Sequence, residues 1–183
     1  VELSWEAGIR HWRFGHKAVA GMEKGGEMKT TIINKNFITE TLEHLQKDGR
    51  RGVEGVVLWL AGSDSDQIRI NQVYRPEQHA SWGNFRIPRS SMMGLLRHLR
   101  ATGSSIAAQV HSHPEEAFHS PIDDEWAIIR HTGALSLVLP DYALRTSLDT
   151  FIAHTAVYEL SAGNKWEEVA PDYVINKYRI VSE

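Results

Sequence analysis

Residues 110–124 read Val110-His111-Ser112-His113-Pro114-Glu115-Glu116-Ala117-Phe118-His119-Ser120-Pro121-Ile122-Asp123-Asp124. The β-prone run Ile106 to Val110 leads straight into this stretch, which places both histidines at the end of a strand. Residues i and i+2 of a strand point to one face, so the imidazoles of His111 and His113 lie side by side while Ser112 turns away. Pro114 disfavours helix at His113 and keeps it extended. Further on, Ser120 is placed to cap a helix, with Pro121 as its first residue, Asp123 as its third, and Asp124 and Glu125 facing the helix dipole. Each half has an ordinary alternative: two surface histidines at a strand end, and a plain helix start. A carboxylate in that first turn can nevertheless swing in beside the histidine pair. Two imidazoles and one carboxylate leave a fourth tetrahedral position for water, the arrangement of a catalytic zinc site.

Working outward, the spacing predicts strands over Met28 to Ile33, Val53 to Leu60, Ile68 to Tyr74, Leu135 to Leu139, Phe151 to Leu160 and Trp166 to Val169, with Asn84 to Pro88 a short extended piece. Val53 to Leu60 is nearly continuous in apolar residues and reads as covered on both faces, with one acid, Glu54, inside it. Helical spacing joins Phe37, Ile38, Thr41, Leu42 and Leu45 up to Asp48-Gly49, and Met92, Met93, Leu95, Leu96 and Leu99 up to Thr102-Gly103. A third helix is expected from Pro121 to His131. Strands and helices interleave without a strict βαβ rhythm, so the fold class is α/β, a mixed β-sheet with packed helices.

The chain has 183 residues, 42% of them hydrophobic, enough for one well-buried core. A formal net charge of −3 and a charged fraction of 23% give no basic excess, which argues against nucleic acid as a partner. With no apolar run of about 20 residues and no signal sequence, neither a membrane span nor export is expected, and the cytoplasm is the anticipated location. The lack of cysteine excludes disulfides, thiolate zinc sites and a cysteine nucleophile. Residues 1–27 show no sustained period and read as an N-terminal extension or a translated leader, because Lys24-Gly25-Gly26-Glu27 before Met28 fits a purine-rich ribosome-binding run. Residues 28–183 then form the domain.

His111-Ser112-His113-Pro114 followed by Ser120-Pro121-Ile122-Asp123, with Glu54 upstream in Glu54-Gly55-Val56-Val57-Leu58-Trp59-Leu60-Ala61-Gly62, resembles the signature of the JAMM (MPN+) metalloproteases. That family comprises zinc isopeptidases that remove ubiquitin and ubiquitin-like proteins. The resemblance covers about residues 28 to 160. It implies an MPN/JAB-like, deaminase-like sandwich in which His111, His113 and Asp123 hold Zn²⁺. It further implies that Glu54 moves the proton of the attacking water and that Ser120 hydrogen-bonds the oxyanion. Six residues, Pro114 to His119, separate His113 from Ser120, one fewer than the common family spacing. The implied substrate is a ubiquitin-like protein or its conjugates, with activating and conjugating enzymes of the same pathway as companions, a setting that includes antiphage defence. Two rival functions are a processing peptidase for a ubiquitin-like sulfur carrier and a non-catalytic MPN scaffold, the latter disfavoured by the intact set of five residues.

Other residues read as ordinary. His119 reads as a solvated loop histidine beside the site, and His44, His79, His98, His131 and His154 as structural or exposed. Met92 and Met93 read as core. For an extended substrate tail, the segment Ile68 to Pro88 supplies candidate edge strands.

Overall fold

The computed structural model describes residues 30–62, 67–170 and 178–182. The expectations for residues 1–27, and for the start of the first strand at Met28 and Lys29, lie outside the described residues. In chain order the elements are β1 (Thr31–Asn34), α1 (Lys35–Gly49), β2 (Val56–Gly62), β3 (Ile68–Tyr74), β4 (His79–Ser81), β5 (Asn84–Arg86), α2 (Arg89–Thr102), β6 (Ser104–Ser112), α3 (Pro121–Trp126) and β7 (Leu135–Leu139). A 3-10 turn (Asp141–Ala143), α4 (Phe151–His154), β8 (Ala156–Leu160), β9 (Trp166–Glu168) and β10 (Tyr178–Val181) complete them.

Among the described residues eight strands form one mixed sheet in the order β10-β1-β3-β2-β6-β7-β8-β9, and β4 and β5 form a separate hairpin. β1 is parallel to both β10 and β3, and β6 is parallel to β7, while the other neighbours are antiparallel. The sheet is covered on two faces, and β2 shows why its sequence is apolar without alternation. Val57, Trp59 and Ala61 pack with Ile38, Leu42 and Leu45 of α1, whereas Leu58 and Leu60 pack with Leu95, Met92 and Leu99 of α2. Each strand face thus meets its own helix, the layered solution open to a sheet apolar on both sides. α1 begins at Asn34, whose side chain accepts from the Asn36 N–H at 2.7 Å, and α2 ends on Gly103 in the left-handed conformation at φ 64°.

Several boundaries depart from the sequence pattern. β2 starts at Val56, so Glu54 precedes the strand; the Val53 N–H is drawn to the Asp48 carbonyl and the Glu54 N–H to the Ser81 carbonyl. α3 stops at Trp126, because the Ile128 N–H turns to the Gln109 side chain at 3.1 Å and Ile129 enters the core. Phe151 to Leu160 divides into α4 and β8. Phe151 is buried with its ring 6.0 Å from that of Trp59, and the Thr155 hydroxyl donates back to the Phe151 carbonyl, which closes the short helix before the strand begins. β3 lies between β1 and β2 in the sheet, but β1 pairs with it only at Ile68 and Arg69. Of the Met92-Met93 pair, Met92 packs on the core and Met93 is exposed.

Candidate metal centre

The paired ladder of β2 and β6 builds the floor of the site. Val56 lies opposite His111, and the ladder continues past the strand end through the Ser112 N–H, which donates to the Gly55 carbonyl at 3.1 Å. On the other side the His113 N–H donates to the Leu139 carbonyl of β7 at 2.9 Å, so both histidines are held in extended geometry at the sheet's end. Their rings lie 5.1 Å apart, as the i, i+2 spacing requires. Phe85 of β5 packs on His111 at 5.8 Å, and Phe118 stands edge-on to His113 at 4.9 Å.

Asp123 reaches this pair from α3. Ser120 is the N-cap: its Oγ accepts from the Asp123 N–H at 3.2 Å, and Asp123 Oδ2 accepts from the Ser120 N–H at 2.7 Å, a reciprocal capping box. The cap fixes the rotamer that carries the carboxylate inward, with Oδ1 3.3 Å from His111 Nε2 and Oδ2 3.1 Å from His113 Nε2. All three side chains are buried, and their ligand atoms lie within 4.8 Å of one another. Atoms bound to a tetrahedral zinc at 2.0–2.1 Å stand about 3.3 Å apart, and each imidazole lies at about that distance from one oxygen of the carboxylate. Neither ring nitrogen of His111 has a hydrogen-bond partner of proper geometry among the described residues, although Nε2 is so near Asp123. A buried imidazole in that condition is costly alone and is satisfied by a shared cation. The donor set fits a metal ion.

Electrostatics follow from burial. Asp123 is pushed up by desolvation, but close contact with His111, His113 and Ser120 outweighs this and holds its carboxyl far below the ordinary carboxylate range, ready to ligate without losing a proton. Glu54, 3% exposed, moves the other way: desolvation raises its carboxyl to about 7, opposed by His113 and assisted by Asp123. A carboxylate near neutrality beside such a cluster can take up and release a proton at working pH.

The support of Glu54 is tight. Gly55 packs so closely on the buried Asp48 that a Cβ there would lie 2.5 Å from Asp48 Oδ2, while Arg75 binds that same oxygen at 2.6 Å. Gln78 brackets Val56 with two hydrogen bonds, accepting from its N–H at 2.9 Å and donating to its carbonyl at 3.1 Å, as a neighbouring strand would. After β7 the chain makes a turn in which Asp141, Tyr142 and Ala143 all have positive φ, at 51°, 54° and 60°. Such backbone costs roughly 1–2 kcal/mol for each non-glycine residue. It is held by the Tyr142 N–H on the His113 carbonyl at 2.7 Å and the Asp141 N–H on the Glu115 carbonyl at 2.9 Å. Gly49, which has no room for a Cβ against Tyr142, lets the turn settle on α1. Burial, with Glu54 and Glu115 nearby, raises the Tyr142 phenol.

His119 corrects its sequence reading. Its ring is packed against Trp166 at 4.9 Å and Tyr158 at 5.4 Å, lies 6.4 Å from His111, and has both nitrogens buried, so it walls the site from the β8–β9 side. Desolvation lowers its pKa to about 4. Nothing local marked Tyr158 or Trp166; they meet His119 only through the sheet order. Among the remaining histidines, His98 bonds Gln72 at 2.7 Å and His154 faces the Thr146 hydroxyl at 3.4 Å, while His44 lies 3.9 Å from Glu40. His79 and His131 are exposed.

No described helix is long and apolar enough to cross a membrane. No family model matches the chain. In backbone the chain is similar to the solution structure of protein DSY2949 from Desulfitobacterium hafniense, with a TM-score of 0.57 over 84% of this chain and 94% of that one; at 16% identity the likeness is one of fold. In sequence it is 32% identical over 155 residues to the protein called Probable metalloprotease y4jG of Sinorhizobium fredii (strain NBRC 101917 / NGR234), a match spanning 82% of this chain and 93% of that protein. Identity of that order, sustained along nearly the whole of both chains, shows that the protein belongs to the same bacterial metalloprotease family as y4jG.

Proposed function

We propose that this protein is a zinc-dependent peptidase of the JAMM (MPN+) type that cleaves the amide bond after the C-terminal tail of a ubiquitin-like protein, working in the cytoplasm beside the activating and conjugating enzymes of that modifier. The observation that carries the reading is the convergence of His111, His113 and the Asp123 carboxylate on one buried point, with Glu54 at about 7 beside it. His111, His113 and Asp123 would hold the metal, which when bound supplies Lewis acidity and an acidified water. Glu54 accepts the proton of the water that attacks the carbonyl and passes it to the leaving amine as the C–N bond breaks. The Ser120 Oγ accepts from the Asp123 N–H, so its own O–H remains free to donate to the oxyanion. The β4–β5 hairpin, with Phe85 on His111, is a short two-stranded unit to which an extended tail can add as a third strand.

The test is metal analysis joined to cleavage of a ubiquitin-like protein fusion. The zinc-loaded protein is expected to cut after the tail. Glu54→Gln is expected to lose turnover with zinc retained, and Asp123→Ala to lose both. Cleavage undiminished in zinc-bound Glu54→Gln, or stoichiometric zinc in Asp123→Ala, refutes the assignment. Comparing a linear fusion with an isopeptide conjugate separates precursor processing from deconjugation.

A further inference from the structure

The β4–β5 hairpin has strands of three residues each, too short to be stable without outside support. Its tip carries Trp82, whose side chain is 68% exposed, so the tip is not secured by burying that ring. Two backbone carbonyls at the tip are instead bonded from outside. Ser81 accepts from the Glu54 N–H at 3.0 Å, and Trp82 accepts from the Tyr142 hydroxyl at 2.8 Å. Tyr142 is also the middle residue of the left-handed turn and donates its N–H to the His113 carbonyl at 2.7 Å. One residue therefore joins the strand end that bears the metal ligands to the hairpin that fixes the backbone of Glu54. Left-handed backbone at Asp141, Tyr142 and Ala143 is what aims the phenol at Trp82 while the N–H reaches His113, which accounts for strain at this point.

We propose that Tyr142 is a positioning residue, a latch that sets the β4–β5 hairpin, and through Ser81 the backbone of Glu54, in fixed relation to the metal ligands. Its effect on catalysis rests on the peptidase reading; its effect on the hairpin does not. Tyr142→Phe keeps the ring and the turn and deletes only the bond to Trp82. Hydrogen exchange on the metal-loaded full chain is expected to quicken about fivefold, the loss of one ordinary hydrogen bond, at Glu54 and across residues 79–86. β6 and β7 should exchange as before. Trp82→Ala keeps the accepting carbonyl and is expected to leave this exchange unchanged. With a ubiquitin-like protein fusion as probe, Tyr142→Phe should lower kcat severalfold, because Glu54 is held less closely, with zinc content unchanged. Unaltered exchange in residues 79–86, uniform quickening through β2, β6 and β7, or equal loosening by Trp82→Ala each overturns the latch. If the wild-type protein cleaves no fusion, the peptidase reading fails while the exchange result still decides the role of Tyr142.

Discussion

Two carboxylates of the site are driven in opposite directions at the residue scale. Asp123 is ionised by its histidine neighbours, whereas for Glu54 burial outweighs the pull of His113 and raises the carboxyl from 4.5 to about 7. A carboxyl whose folded pKa lies above its unfolded value stabilises the fold fully below the unfolded value and loses that contribution as pH rises through the folded one. In metal-free protein the Glu54 contribution is therefore lost between about pH 4.5 and 7, at most about 3.5 kcal/mol in all. Glu54→Gln cannot ionise, so metal-free Glu54→Gln should gain stability relative to wild type between pH 5 and 8, read as a difference in melting temperature. A pH-independent difference would show that Glu54 stays ionised throughout. Ser120 has two duties that one substitution separates. Ser120→Ala should lower kcat by roughly 10²–10³ if the hydroxyl serves the oxyanion, and cost about 1 kcal/mol as a cap. Unchanged kcat with lowered stability would leave it the cap alone.

Elements meet at the site both through hydrogen bonds and by close approach. α3 has only six residues, yet its capping box turns a helix start into a ligand mount. α1 ends at Gly49 beneath the left-handed turn, and its Asp48 lies under Gly55, clamped by Arg75. Gly55→Ala forces a methyl against a buried, ion-paired carboxylate that cannot retreat. The expected result is destabilisation of roughly 1–3 kcal/mol and a fall in kcat, because the segment that yields carries Glu54. A melting curve and turnover like those of wild type would show that Asp48 moves aside freely.

Across the whole molecule, the candidate metal ligands come from the end of β6 and from α3, and they are held by β2, β7 and the hairpin. The unfolded chain has no such convergence, so an ion bound here stabilises the folded state alone. Free zinc at a hundred times its Kd should add about 2.7 kcal/mol, a rise of roughly 5–10 °C in Tm for a chain of this size. The rise should vanish in Asp123→Ala. A Tm indifferent to zinc in wild type would remove the metal from this site.

The amino-acid sequence by itself determined what depends on local periodicity and local chemistry. β3 and β7 begin and end where their sequence patterns place them, both long helices carry the expected apolar stripes apart from the exposed Met93, and β2 is apolar because each of its faces meets a helix. His111 and His113 share a face because a strand has a period of two, and Ser120 with Asp123 form a capping box because a helix start has unpaired N–H groups. What required tertiary structure were contacts between residues far apart in the chain. β10 adds beside β1 at the far edge of the sheet, a pairing no local signal encodes. Phe151 turns into α4 because Trp59 offers it a buried surface, against a pattern that reads as strand. His119 is buried because β8 and β9 bring Tyr158 and Trp166 against it. Tyr142 holds a left-handed backbone only because Gly49, His113 and Trp82, from three other parts of the chain, leave it that single place. Periodicity records which face of an element is buried; it carries no record of what lies against that face, and for these residues the neighbour decided the outcome.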